Sequence, residues 1–175
     1  MSGPIQDGRY KIWRSPERNQ LIVAMEGHNS MAVLGHPSNY EGSDDAESGI
    51  WIVSTVATPS NTVNLASADA VSATLQHEAS EAYLALDNSA DPTRNSSVCI
   101  KSDDRQVWTL SPASTTKDEG EGRNEFHIGY PDLVDGEVLV VDNSFLRIFP
   151  PRLALQPLGS EMDQVGLPWH FEPVA

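Results

Sequence analysis

The sequence predicts an all-β fold, and three observations carry that prediction. Glycine and proline are frequent, with 12 of each in 175 residues. Apolar residues alternate with polar ones over short runs. One such run, opened by tryptophan, occurs three times, as Trp51-Ile-Val-Ser, Trp108-Thr-Leu-Ser and Trp169-His-Phe-Glu. Alternation sends successive side chains to opposite faces, as a half-buried strand requires. Glycine and proline supply the turns between short strands.

Each tryptophan run closes a unit that a matching strand opens. The first unit opens on Gly8-Arg-Tyr-Lys-Ile with Tyr10 and Ile12 inward, and continues through Leu21-Ile-Val-Ala and Met31-Ala-Val-Leu to Trp51. The second opens on Asn61-Thr-Val-Asn-Leu with Val63 and Leu65 inward, followed by Ala70-Val-Ser-Ala-Thr-Leu and Tyr83-Leu-Ala-Leu before Trp108. The third opens on Asn124-Glu-Phe-His-Ile with Phe126 and Ile128 inward, followed by Val138-Leu-Val-Val and Arg152-Leu-Ala-Leu before Trp169. Opening residue and tryptophan stand 41, 45 and 43 residues apart, from Tyr10, Val63 and Phe126 respectively. In the third unit Ser144-Phe-Leu-Arg-Ile-Phe-Pro150 competes for a strand, and Pro150-Pro151 interrupts pairing wherever it falls. Ser80-Glu-Ala-Tyr-Leu-Ala-Leu is the one helix candidate.

Twelve strands in three pseudo-symmetric four-strand units describe a β-trefoil: six strands close a barrel and six form hairpins that cap one end. The expected organisation is a single domain over 1–175, with units at about 8–56, 61–112 and 123–174. A two-sheet sandwich would not require three equal modules. The linkers fit this division, since Ala57-Thr-Pro-Ser and the stretch from Pro112 to Gly122 are polar and turn-rich. The three indoles are expected to pack in the core.

Charge narrows the partners. A formal net charge of −14 and a pI near 4.5 repel polyanions, so nucleic acid is not an expected partner. No apolar stretch approaches the ~18 residues of a membrane helix, and the start lacks the basic and apolar regions of a signal peptide. No membrane partner is expected. With a lone Cys99 there is no internal disulfide, and a cytoplasmic location is the expectation. Asn95-Ser96-Ser97 is a glycosylation sequon that we read as loop.

Convergent catalytic groups are missing from the sequence. There is no G-x-S-x-G turn, and Gly120-Glu-Gly-Arg-Asn-Glu lacks the third glycine of a phosphate-cradling loop. His28, His36, His77, His127 and His170 show no zinc spacing, and His127 and His170 fall at outward, solvent-facing strand positions. Asp44-Asp45, Asp103-Asp104 and Asp118-Glu119 lack the alternation of a calcium loop. The chain is therefore expected to be no enzyme and to use no cofactor and no metal.

Asp7-Gly-Arg-Tyr-Lys-Ile, Trp51-Ile-Val, Trp108-Thr-Leu, Leu153-Ala-Leu-Gln-Pro-Leu and Pro168-Trp-His-Phe-Glu-Pro-Val together resemble the fungal β-trefoil protease inhibitors of mushrooms, the mycocypins and the cospin-like proteins. That resemblance implies inhibition of a serine or cysteine protease by loops held stiffly on the barrel. It places a reactive segment at Glu26, Gly27, His28, Asn29 and Ser30, with Asn29 entering the protease pocket. It also points to the loop carrying Arg14 and Arg18, and to His36–Ser48 as a second wedge. An alternative stays open. Gln106-Val107-Trp108 satisfies the Q-x-W signature of ricin-B-type lectins, and Tyr83-Leu-Ala-Leu-Asp87-Asn88 resembles their strand with a sugar-binding aspartate. This second resemblance implies a glycan partner held by Asp87, Asn88 and Gln106. The other two tryptophans follow Gly49-Ile50 and Leu167-Pro168, so at most one such site is expected. A storage-like or non-catalytic subunit role is the third reading.

Overall fold

The alternating segments form antiparallel strands in a computed structural model, which describes residues 5–14, 20–25, 31–35, 49–57, 70–113, 124–144, 146, 151–158 and 168–175. Among these residues there are twelve strands and no α-helix. The first unit holds β1 (Gly8–Arg14), β2 (Leu21–Met25), β3 (Met31–Gly35) and β4 (Ile50–Val56). The second holds β5 (Val71–His77), β6 (Tyr83–Leu86), β7 (Val98–Lys101) and β8 (Trp108–Pro112). The third holds β9 (Glu125–Gly129), β10 (Leu139–Asn143), β11 (Leu153–Pro157) and β12 (Trp169–Pro173).

Register reveals the threefold repeat. Tyr10, Ala73 and Phe126 each pair with the tryptophan of their own unit, Trp51, Trp108 and Trp169. Each also pairs with the residue four beyond the tryptophan of the preceding unit, Pro173, Thr55 and Pro112. The first and second strands meet at Trp13↔Leu21, Gln76↔Tyr83 and Gly129↔Val140, which are equivalent positions. The third strands meet cyclically about the axis: Met31 bridges Cys99, Ser97 bridges Ala154, and Arg152 bridges Val33. The fold is a β-trefoil, closed so that its first and fourth strands leave few free edges.

Inward residues fill the barrel in equivalent triplets. Ile12, Leu75 and Ile128 form one layer, and Val53, Leu110 and Phe171 another, all fully buried. The three indoles are buried as well, each burial contributing roughly 2 to 3 kcal/mol. A buried indole N–H needs an acceptor. Each donates 2.9 Å to a carbonyl on the second strand of its own unit, that of Ile22, Leu84 or Val141.

Two sequence expectations are corrected. The opening strand of the second unit is β5, whereas Asn61–Leu65 lies outside the described residues. Measured from Ala73, this unit reaches its tryptophan in 35 residues, not 45. Alternation at 61–65 mimicked an opening strand, and Ala73 hid the true one because a small residue takes the place of Tyr10 and Phe126. Consequently Tyr83–Leu86 is the second strand of the unit, and the third is Val98–Lys101, a short run the sequence reading passed over. The helix candidate at Ser80–Leu86 is a turn leading into β6, with Glu81 at φ 59°. In the third unit β11 follows the Arg152–Leu155 reading, and most of the competing Ser144–Pro150 run lies outside the described residues.

Candidate functional site

While the inward positions are nearly interchangeable, the outward faces of the three hairpins differ. On the first hairpin, Leu21, Val23 and Val33 form a second, smaller core with Trp13 and Met31 packed against it. Gly49 lies so close that an added Cβ would stand 2.5 Å from a Leu21 methyl. This face is apolar and filled.

The equivalent positions of the second hairpin carry a different set. β6 and β7 pair Tyr83 with Lys101 and Ala85 with Cys99, and Asp87 follows on the same face, its backbone N–H donating to Ser97 at 3.0 Å. Ala85 and Cys99 stand where the first unit has Val23 and Val33, so the floor is built of small side chains. Asp87 is exposed beyond it. Tyr83 stands at the other end, half-buried, with the Arg105 guanidinium 5.6 Å from its ring centroid. Lys101 begins opposite Tyr83, yet its ammonium donates 3.2 Å to the Asp87 carbonyl, so its alkyl chain runs along the floor. Burial pushes the Cys99 thiol up to about 11, with Asp87 and Asp104 adding to the effect and Lys101 opposing it. The thiol stays protonated at neutral pH and acts as a small apolar wall.

On the third hairpin the face is polar and closed. Asp142 replaces Val23 and Ala85; it is buried, and Arg14 donates to its Oδ1 at 3.2 Å. Ser111 faces His127 across β8 and β9, and Asp142, two residues beyond Val140 on β10, lies near enough for its charge to act on His127. Burial lowers the His127 pKa, opposed by the charges of Asp142 and Glu125. Its Nδ1 and the Ser111 Oγ are buried and without a hydrogen-bond partner among the described residues. The expectation of solvent-facing His127 and His170 is thus corrected: both are half-buried, His127 with Ser111 opposite it and His170 between Trp13 and Glu125.

The structure brings some expected site residues together and separates others. Asp87 shares a face with Tyr83. Asn88 closes the following turn, its Nδ2 donating 3.3 Å to the Asp91 carbonyl. Gln106 turns its amide nitrogen onto the neighbouring Val107 carbonyl at 2.8 Å, a local bond that braces the approach to Trp108. Arg14 ends β1 and is tied to Asp142 of the third unit, which removes it from display on a loop. Arg18, Glu26, Gly27, His28, Asn29 and Ser30 lie outside the described residues, as does His36–Ser48. Lys101 and Arg105 escaped the sequence reading because only the β6–β7 pairing brings them to Asp87 and Tyr83. Among the described residues no cluster of three His, Cys, Asp or Glu side chains could hold a metal ion.

No protein-family model matches the chain, and no curated protein sequence matches it. Solved structures match it in fold. The lectin of Polyporus squamosus, solved with a human-type influenza-binding epitope, aligns at a TM-score of 0.61 and 13% identity over 97% of this chain and 50% of that one. The chain spans half the length of that lectin. The Rhizoctonia solani agglutinin aligns at 0.58 and 14% identity over 97% of both chains. A designed threefold-symmetric protein, ThreeFoil, aligns at 0.59 and 16% identity over 96% of this chain and all of that one. At these identities the likeness shows the β-trefoil fold.

Proposed function

We propose that this chain is a carbohydrate-binding β-trefoil that binds without chemistry of its own, with its site on the outer face of the β6–β7 hairpin. One observation carries the reading. Of the three equivalent hairpin faces, the first is filled by Leu21, Val23 and Val33 and the third is closed over Asp142, while the second sets an exposed carboxylate and an aromatic ring on either side of a small-residue floor. A sugar needs that combination. Paired hydroxyls donate to a carboxylate that only accepts, and the C–H face of the ring packs on apolar surface. The lectin neighbours support glycan binding over protease inhibition as the use of this scaffold.

The test is a glycan array of wild type beside Asp87→Ala, run in parallel with titration against trypsin, papain and an asparaginyl endopeptidase. Glycan binding that Asp87→Ala abolishes, with all three enzymes unaffected, is the expected result. Protease inhibition lost in Asn29→Ala, with no glycan retained on the array, would overturn the proposal in favour of the inhibitor.

A further inference from the structure

The chemistry at the two ends of this face goes further than a neutral sugar requires. Three of the described cations are neutralised within the protein: Arg9 by Glu78, Arg14 by Asp142 and Arg94 by Glu137. The other four described cations, Lys11, Lys101, Arg105 and Arg152, form no such ion pair among the described residues, although the chain carries 25 acidic side chains against 11 basic ones, and two of the four stand together on one face. Those two, Lys101 and Arg105, belong to the β6–β7 face. Arg105 stands over the Tyr83 ring with its guanidinium carbon 5.6 Å from the centroid, so a ligand reaching that end meets a cation beside the ring. What a ligand meets at that end is a planar cation with several N–H donors, suited to two oxygens of an anion. At the other end the Lys101 ammonium holds a neutral carbonyl by a single 3.2 Å bond, so an anion would be a stronger acceptor than its present one.

We infer that the face selects glycans bearing an anionic group, a carboxylate or a sulfate ester, with Arg105 and Lys101 receiving the anion and Asp87 accepting sugar hydroxyls. This rests on the glycan-binding reading and narrows it. The overall charge of −14 makes the choice more discriminating, since an anionic ligand is repelled everywhere except where cations stand uncompensated. Asp87 and Asp104 keep the face from being a general anion trap. Free phosphate or a bare polyanion finds these carboxylates against it, while a sugar satisfies Asp87 with its hydroxyls.

The full chain is titrated calorimetrically with matched probes: galactose against galacturonic acid, glucose against glucuronic acid, and lactose against both sialyllactose and 3′-sulfolactose. In low salt at least one anionic member binds about tenfold tighter than its neutral partner, as a charge-assisted hydrogen bond implies. The gap narrows as NaCl rises to about 0.5 M. Comparing sialyllactose with sulfolactose identifies which anion the site takes. Lys101→Gln with Arg105→Gln closes the gap between anionic and neutral partners, whereas Asp87→Ala removes binding of both, and an unchanged thermal midpoint shows that the variants fold. Equal affinity for neutral and anionic partners, still lost in Asp87→Ala, would overturn the anion preference and leave the glycan site standing. No binding to any probe would overturn both.

Discussion

The first and second hairpins are the same object by register and opposite objects by surface. Leu21 corresponds to Tyr83, Val23 to Ala85 and Val33 to Cys99, and the paired backbones agree residue for residue. One face became a satellite core, and the other a floor of small buried side chains flanked by an exposed carboxylate and a half-buried ring. Trefoil closure fixes which side chains point inward and leaves the outward ones unconstrained, so a site can arise on one unit without disturbing the other two. Inward triplets such as Ile22, Leu84 and Val141, whose carbonyls receive the three indoles, show how little freedom the inside has. The third hairpin marks a further alternative, with a polar outer face that is buried and must satisfy its own charges.

The largest test of this difference lies in that third face. Asp142→Ala removes the acceptor of a mostly buried Arg14 and of the Asn143 N–H, and leaves a cation short of solvent. Breaking one side of such a pair costs roughly 3 kcal/mol, at the lower end of the range because Arg14 keeps some exposure. Giving the third face the residue of the first, as Asp142→Val together with Arg14→Met, should restore stability to within about 1 kcal/mol of wild type in urea unfolding. A single substitution as mild as the double one would mean that the charges there are not committed to each other.

The sequence made the triplicate legible through three residues, because tryptophan is rare and its spacing survives drift elsewhere. Phe126 and Tyr10 were legible for the same reason, as large rings at alternating positions. Ala73 was not: a small inward residue next to Ser72 and Thr74, both buried, gives no alternation, and Val63 with Leu65 imitated the missing strand. The error moved β5 and β6 one place along the unit and hid β7, while the closing strand at Trp108 kept its place. Asp87 could still be found, since the pattern from Tyr83 to Asp87 lies within one strand and its turn. Lys101 and Arg105 could not, because their role depends on which strand lies beside β6, and pairing between distant segments is not written in local periodicity. The buried polarity of Asp142 and His127 was invisible for a related reason: outward on a strand means exposed only where nothing covers the face.

A middle-sized effect follows from His127. Its folded pKa lies below the unfolded value of about 6.5, so the unfolded chain takes up the proton more readily. The stabilisation from keeping it neutral is complete above that pH and declines as pH falls through it toward the folded pKa, by no more than about 1.4 kcal/mol per pH unit. Asp142 and Glu125 face the ring, and Arg14 holds Asp142, so the slope is shallower than for an isolated buried histidine. Acidification also relieves the repulsion of a −14 chain, so the quantity to read is the difference between wild type and His127→Gln from pH 7.5 to pH 5.5. Parallel curves for the two proteins would show that this third face is wetter than its packing implies.

The smallest effect on stability is also the sharpest comparison of the two hairpins. Ala85→Val with Cys99→Val gives the second face the floor of the first while leaving every inward residue in place. Val exceeds Cys by about one methyl group, and the methyls added at positions 85 and 99 meet the alkyl chain of Lys101, which is held by one hydrogen bond and can swing outward. The cost should stay below about 1 kcal/mol. Glycan binding should nevertheless disappear, because a raised floor lifts a sugar away from the Asp87 carboxylate, and a hydrogen bond lengthened beyond about 3.5 Å is lost. Retained binding would move the ligand off this floor even if Asp87 proved essential, and would place the carboxylate at the edge of a site that begins elsewhere on the second unit.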